Sequence, residues 1–448
     1  MGKADIKADL MALSESVRMY TEPVLVIDQA YLALQLHKIR ADKKAAVAKA
    51  GVTVEVLQSN PKFAEALKNL GVEVPTKISP RTGKEAFALA KNDADFLDLL
   101  EHPSASVVDL VKARLAVKST ITETRCQTLL GAGQRKGTFP VNLKFAGAHT
   151  QRFSGGDTNP QNLTPLLKKA LRAGDNQMLA NTDASQIEAR ILAWLSTDDV
   201  TDPYLGAFLR DEDVYKNTAG HLYKKEPSEV TPQERHRGKI VTLASGFGLS
   251  PDGLLKTFKV AGIDATRDDA VRAIEGYRRS YFAVPKLWGD ADRTLRAINF
   301  NMNYPSEKTV QTAEFGVRPE AIRLEGPKLK LPNGTSLYFP ELRQDSRGRF
   351  TYLMRKKHVN IFGAKLVENV VQALAAKLLC HWISIISQHP DFRIALTVHD
   401  SILVSLPRGM EDEAKSFLQE TMQTAPSWAT GLPLKSETTL GSSYGEMA

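Results

Sequence analysis

The chain has 448 residues, 42% hydrophobic and 25% charged, enough for substantial buried cores and two or three subdomains. Lys plus Arg (59) exceed Asp plus Glu (51), a formal charge of +8, which suits a polyanionic partner without requiring one. Only Cys126 and Cys380 are present, arguing against a disulfide framework or clustered zinc, and neither a secretory opening nor an apolar run near the ~20 residues of a membrane span is read.

Along the chain, residues 1–22 predict a short helix ending near Pro23. The pattern from Val24 to about Lys118 is helical, interrupted by the Pro/Gly-punctuated stretch Gly71 to Gly83. Gly137–Thr164 is rich in Gly, Thr, Asn and Pro and predicts strands and loops. A strand at Gln177–Thr182 should pass through Asp183 into an amphipathic helix, Gln186–Leu195. Residues 201–300 read as helical, with segments from about Pro232 and around Asp268–Tyr281. The alternation and Asn-Gly signal within 328–361 predict hairpins. A long helix, Gly363–Ser387, should precede a hairpin with His399-Asp400 at its apex. The class predicted is α+β, with a sheet assembled from distant segments.

Asp183 and Asp400 are isolated carboxylates in apolar strand contexts. Such groups are costly to desolvate unless a cation or donor compensates. Brought together, they could hold two Mg²⁺ ions about 4 Å apart, one activating a 3′-hydroxyl and one stabilising leaving pyrophosphate. Taken singly, each is equally explained as a cap or turn residue. Arg235, Lys239, Leu243 and Phe247 recur every four residues, a step that advances about 40° around a helix and lines them up in one spiralling stripe. Two cations leading to an aromatic can hold a triphosphate and pack a base. An ordinary solvated helix face would look the same. No GxxxxGK[ST] follows a strand, so an ATPase reading finds no support.

In order, these segments resemble the family A (DNA polymerase I-like) DNA polymerases. DASQIEAR (Asp183–Arg190), RHRGKIVTLASGFG (Arg235–Gly248) and VHDS (Val398–Ser401) are similar to that family's motifs A, B and C. AHTQRFSGGDTNPQNL (Ala148–Leu163) and LAVKST (Leu115–Thr120) resemble two upstream segments, and KLVENVVQALA (Lys365–Ala375) resembles the phage-type branch. The resemblance implies a right-hand fold with an antiparallel palm sheet and helical fingers and thumb. Its expected parts are an N-terminal helix over 1–22, thumb over 23–117, palm over 118–200 and 356–448, and fingers over 201–355.

It further implies a template-directed DNA polymerase, located in the cytoplasm (the host's, if viral) and acting away from membranes. Asp183 and Asp400 would bind two Mg²⁺ ions, with Mn²⁺ as a substitute, assisted by the Ala184 carbonyl. Glu188 would be the steric gate against a ribose 2′-hydroxyl. Arg235 and Lys239 would grip the dNTP, Lys239 also serving as acid for pyrophosphate departure. Leu243, Phe247, Gln186 and Tyr215 complete the nucleotide shell, and Arg152, Asn162, Gln372 and His399 would contact primer–template DNA. Leu243, Phe247, Tyr215 and Ser401 depart from the family's usual residues, which bears on sugar discrimination and fidelity.

Single-subunit phage-type RNA polymerases share the HDS spelling, but Glu188, NPQNL and LAVKST favour DNA synthesis. A non-catalytic binding subunit would have lost one of the carboxylates. MGKADIKADLMAL looks like the end of an exonuclease domain, with Asp5 at the Asp of a Tyr-x3-Asp pair and Met1 at the Tyr. The expectation is a polymerase portion without proofreading, partnered by replication accessory proteins or a separate exonuclease part; alternatively Asp5 is a surface charge.

Overall fold

Three distant parts of the chain build the sheet that carries both carboxylates. In the computed structural model, which describes residues 2–79, 83–156, 159–304 and 311–447, with side chains from residue 6 onward, the strand order is Arg393–Val398, Ser401–Pro407, Gln177–Ala184, Ser436–Gly441, antiparallel throughout. Met1 and the Asp5 side chain lie outside the described residues. Strand Ser401–Pro407 is buried along almost its whole length, which is why it reads as a continuous apolar run rather than an alternating one. Strand Ser436–Gly441, which was not anticipated, closes the other edge.

The long helix Gly363–Ile386 lies in the core, packed on the helices Gly2–Thr21, Ile187–Ser196 and Ala283–Asn303. Its mean hydropathy of 1.4 makes it long and apolar enough to cross a membrane, contrary to the expectation that no run approaches that length. Here 78% of its apolar window is buried inside the protein, so neighbouring helices cover much of the surface that lipid would otherwise cover. Lys377 of this helix is buried and paired to Asp9 of the N-terminal helix at 2.8 Å, which ties residues 2–21 to the core.

Two hydrophobic cores are separate. The smaller is built by Leu57, Phe63, Leu67, Phe96, Val107, Leu110 and Val111, under helices Asn60–Asn69 and Ala105–Lys118. Within the expected interruption, Thr76–Ile78 and Glu85–Phe87 pair as a hairpin. The larger core runs from Leu25 through Leu192, Val241, Tyr277 and Leu295 to Leu366 and Val404, so the helices of 203–303 share it with the sheet. Among the described residues between Gly137 and Thr164, the strands are the two-residue Leu143–Lys144 and Ser154–Gly155, which pair with each other. Two small three-stranded sheets occupy 323–361. The expected boundary at 355/356 falls inside the turn of one hairpin, Phe350–Met354 with Lys357–Ile361.

Candidate active site

Strand pairing brings Asp183 and Asp400 together. Asp183 lies next to the end of its strand, opposite Ser401 on one side and Glu437 on the other. Asp400 sits in the two-residue turn after Val398, where His399 takes the left-handed conformation (φ 55°). The Ala184 amide donates to the Asp400 carbonyl at 3.3 Å, fixing the turn against the strand end. Neither carboxylate has an ion-pair partner among the described residues. Burial, and then the charge of Asp183, push the Asp400 carboxyl up to about 6. Burial, and then Glu437, raise that of Asp183, against a smaller opposing effect of His399. Two like charges, opposed by the smaller effects of Arg152 and His399 and without an ion-pair partner among the described residues, form a donor set that a divalent cation would satisfy.

Around them stands a second layer. Glu188, in the first turn of helix Ile187–Ser196, accepts a hydrogen bond from the Arg152 guanidinium. Burial and the neighbouring Arg152 lower the proton affinity of His399, while Glu188 and Asp183 act the other way, placing these four groups in one electrostatic neighbourhood. Gln186 caps the same helix from the left-handed region (φ 57°) and hydrogen-bonds Tyr215, holding the Tyr215 hydroxyl partly against the upward effect of burial.

Tyr215 links this layer to the basic stripe. Its ring lies 5.3 Å from the Arg235 guanidinium and 5.9 Å from the Lys239 ammonium. Helix Pro232–Ser245 starts with a capping box between Thr231 and Glu234. It buries Gly238, Val241, Thr242 and Ser245 and leaves Lys239 and Leu243 exposed. Gly238 permits the close approach to the Tyr215 helix: a Cβ there would stand 2.2 Å from the Tyr215 carbonyl oxygen. Arg235 is held by Asp213 at 2.6 Å, whereas Lys239 has no ion-pair partner among the described residues. The helix ends at Ser245, so Phe247 lies just past it and is not on the helical stripe. Gly248, with φ +76°, turns the chain where a Cβ would meet Ala364 at 2.6 Å.

The remaining expected residues are placed less closely. Gln372 hydrogen-bonds Glu368 one turn back at 3.3 Å, and Asn162 is exposed, its carbonyl accepting from Arg125. Sequence reasoning missed Asp213 and Glu437. Asp213 was legible as a helix N-cap, because its side chain accepts from the Tyr215 and Lys216 amides. Glu437 required the fourth strand, signalled only by the Thr-rich run Ser436–Gly441.

Comparison with known proteins gives one pattern. Over 372 residues the chain is 26% identical to DNA polymerase I of Borreliella burgdorferi, covering 79% of this chain and 35% of the relative. It is 25% identical over 290 residues to the DNA polymerase of Bacillus phage SP02, covering 61% and 42%. The chain thus spans about two fifths or less of the curated relatives it matches. Among solved structures, the POL domain of Pol1 from M. smegmatis, in complex with DNA primer-template and dNTP, superposes with a TM-score of 0.72 at 21% identity, covering 98% of this chain and 70% of that one. The fold is therefore the α+β right hand of a polymerase domain, with an antiparallel palm sheet and helical fingers and thumb. The pattern described as DNA polymerase family A matches residues 30–302, more than half of the chain and a span that holds Asp183, Glu188, Arg235 and Lys239; the chain belongs to DNA polymerase family A.

Proposed function

We propose that the chain is a DNA-directed DNA polymerase that extends a primer 3′-hydroxyl with dNTPs and releases pyrophosphate. The observation that carries this reading is the juxtaposition of Asp183, opposite Ser401, with Asp400 at adjoining strand ends, neither carboxylate held in an ion pair among the described residues. A basic stripe reaches the same site through Tyr215 and Gln186. Asp183 and Asp400, with the Ala184 carbonyl, would hold two Mg²⁺ ions, for which Mn²⁺ could substitute. Bound there, such a pair lowers the pKa of the attacking hydroxyl and neutralises charge on the leaving oxygen.

The chain's own residues do the rest. Arg235, pre-positioned by Asp213, and Lys239 bind the triphosphate, and Lys239 donates a proton to the departing pyrophosphate. Glu188, held by Arg152, fills the space beside the sugar C2′ and excludes a 2′-hydroxyl. Leu243 and Phe247 pack against base and sugar. His399, Gln372 and Asn162 line the primer–template side, and Arg152 lies between that side and the gate. We place thumb, palm and fingers as the family resemblance implies, with the whole 350–361 hairpin on one side of the fingers–palm division.

Primer extension with dNTPs against NTPs, with and without Mg²⁺, tests the reading. Metal-dependent, template-matched dNTP addition is expected. Preferential NTP addition, or tight duplex binding with no extension in Mg²⁺ or Mn²⁺, would overturn it.

A further inference from the structure

The hairpin Phe350–Met354/Lys357–Ile361 closes through a two-residue turn, Arg355-Lys356, whose φ angles are 48° and 67°. A turn with both residues left-handed is the one for which Asn-Gly is the low-energy choice, because bulky side chains are strained there. This chain instead keeps two long cations in the strained positions and follows them with Lys357 and His358, all four exposed. Strain retained in a surface turn points to a use for the side chains that impose it. Elsewhere in this small sheet Arg349 pairs with Asp345 at 2.8 Å and His358 with Glu341 at 3.3 Å, while Arg343 and Arg347, like the tip, have no ion pair among the described residues. Arg355, Lys356 and Lys357 have no acidic partner among the described residues.

Register sets the direction of the tip. Lys357 pairs with Met354 and so shares a face with Tyr352. That face is turned to His149, whose ring is 5.3 Å from Tyr352, three residues before the Arg152 that holds Glu188. The far end of the hairpin runs through Phe362, which adjoins Gly248 at the end of the basic stripe. The tip therefore stands about 17 Å along the strands from the stripe's end, on a hairpin whose Tyr352 face packs on His149.

We propose that Arg355, Lys356 and Lys357 grip the phosphate backbone of the primer–template duplex as it leaves the site. This rests on the polymerase reading above. Three cations without acidic partners suit a polyanion, and backbone contacts fix the position of a duplex without reading its sequence.

The variant R355N/K356G/K357T tests this with little risk to folding, because Asn-Gly relaxes the turn and Thr suits a strand. Equilibrium binding of a primer–template duplex is measured across a salt series. Each lost phosphate contact makes the slope of log K against log salt shallower by about 0.9. The variant should therefore lose about 2–3 units of slope and roughly tenfold in affinity at moderate salt. Single-nucleotide addition at saturating DNA should be unchanged. The control R343Q/R347Q removes two exposed charges elsewhere on the same sheet, Arg343 being on the opposite face, and should leave the slope in place. An unchanged slope in the tip variant overturns the grip, as does an equal loss per charge in the control. If the wild-type chain binds no duplex at all, the polymerase reading itself fails.

Discussion

The carboxylate end of the sheet and the exposed face of helix Pro232–Ser245 handle charge in opposite ways. At the sheet, the half-buried Asp400 and the more exposed Asp183 are like charges that lack an ion-pair partner among the described residues. Desolvation and Asp183 raise the proton affinity of Asp400, and desolvation and Glu437 raise that of Asp183. On the helix, Arg235 is neutralised by Asp213 and Lys239 projects from an exposed face. The first arrangement costs stability and persists because rigid strands on both sides impose it. The second costs little, since exposed cations keep most of their hydration. A site for tightly held metal needs imposed geometry, whereas a site that must admit and release a nucleotide does better with mobile cations.

The largest effect that could break this contrast is expected from Asp183→Ala or Asp400→Ala. Each should lower extension by ~10³-fold or more, measured by primer extension, while duplex affinity stays within about threefold because phosphate contacts elsewhere supply it. Retention of more than a few per cent of activity would remove the carboxylates from the mechanism. Next comes the helix: Lys239→Ala should slow single-turnover addition by roughly 10²-fold. Asp213→Asn, which frees Arg235, should mainly raise the dNTP concentration needed for half-maximal rate. Equal effects of both on duplex affinity would recast the stripe as a DNA surface.

Smaller still is the gate. Glu188→Ala should raise ribonucleotide incorporation by about tenfold or more, the order of discrimination a close steric contact supplies. Arg152→Ala should move selectivity the same way by less, because it releases the gate without removing it. Unchanged dNTP/NTP selectivity in Glu188→Ala would assign the gate elsewhere.

The smallest effect sharpens the cost assigned to the sheet. A carboxyl whose folded pKa is raised stabilises the fold fully below its unfolded value near 4, and that contribution is lost as pH rises through about 6. Metal-free wild type should therefore lose stability between about pH 4 and 6 that Asp400→Asn does not lose. At neutral pH the variant should melt a few degrees higher (~2–4 °C), and Mg²⁺ should stabilise only the wild type. Identical melting profiles from pH 4 to 8 would mean that the pair carries no such strain.

Much of the site was legible because its signals are local. An isolated Asp in an apolar strand, a four-residue stripe and a capping box are encoded within a few neighbouring residues. The strand-to-helix passage at Asp183, the turn at His399-Asp400 and the helix from Pro232 all stand in the fold. The end of that helix was misread because a four-residue repeat continues in sequence past Ser245, whereas the chain turns out of the helix through the left-handed Gly248. The core helix was misjudged as too short in apolar length, because hydropathy counts residues and not what covers them.

The order of the motifs and the chemistry of their side chains were thus determined by the sequence itself. Tertiary structure alone decided that Asp183 faces Glu437, that Arg152 holds Glu188, and that Asp213 steadies Arg235. Each of these pairs joins segments between 22 and 254 residues apart. Local propensity carries no information over such separations; strand register and helix packing around a shared core set them.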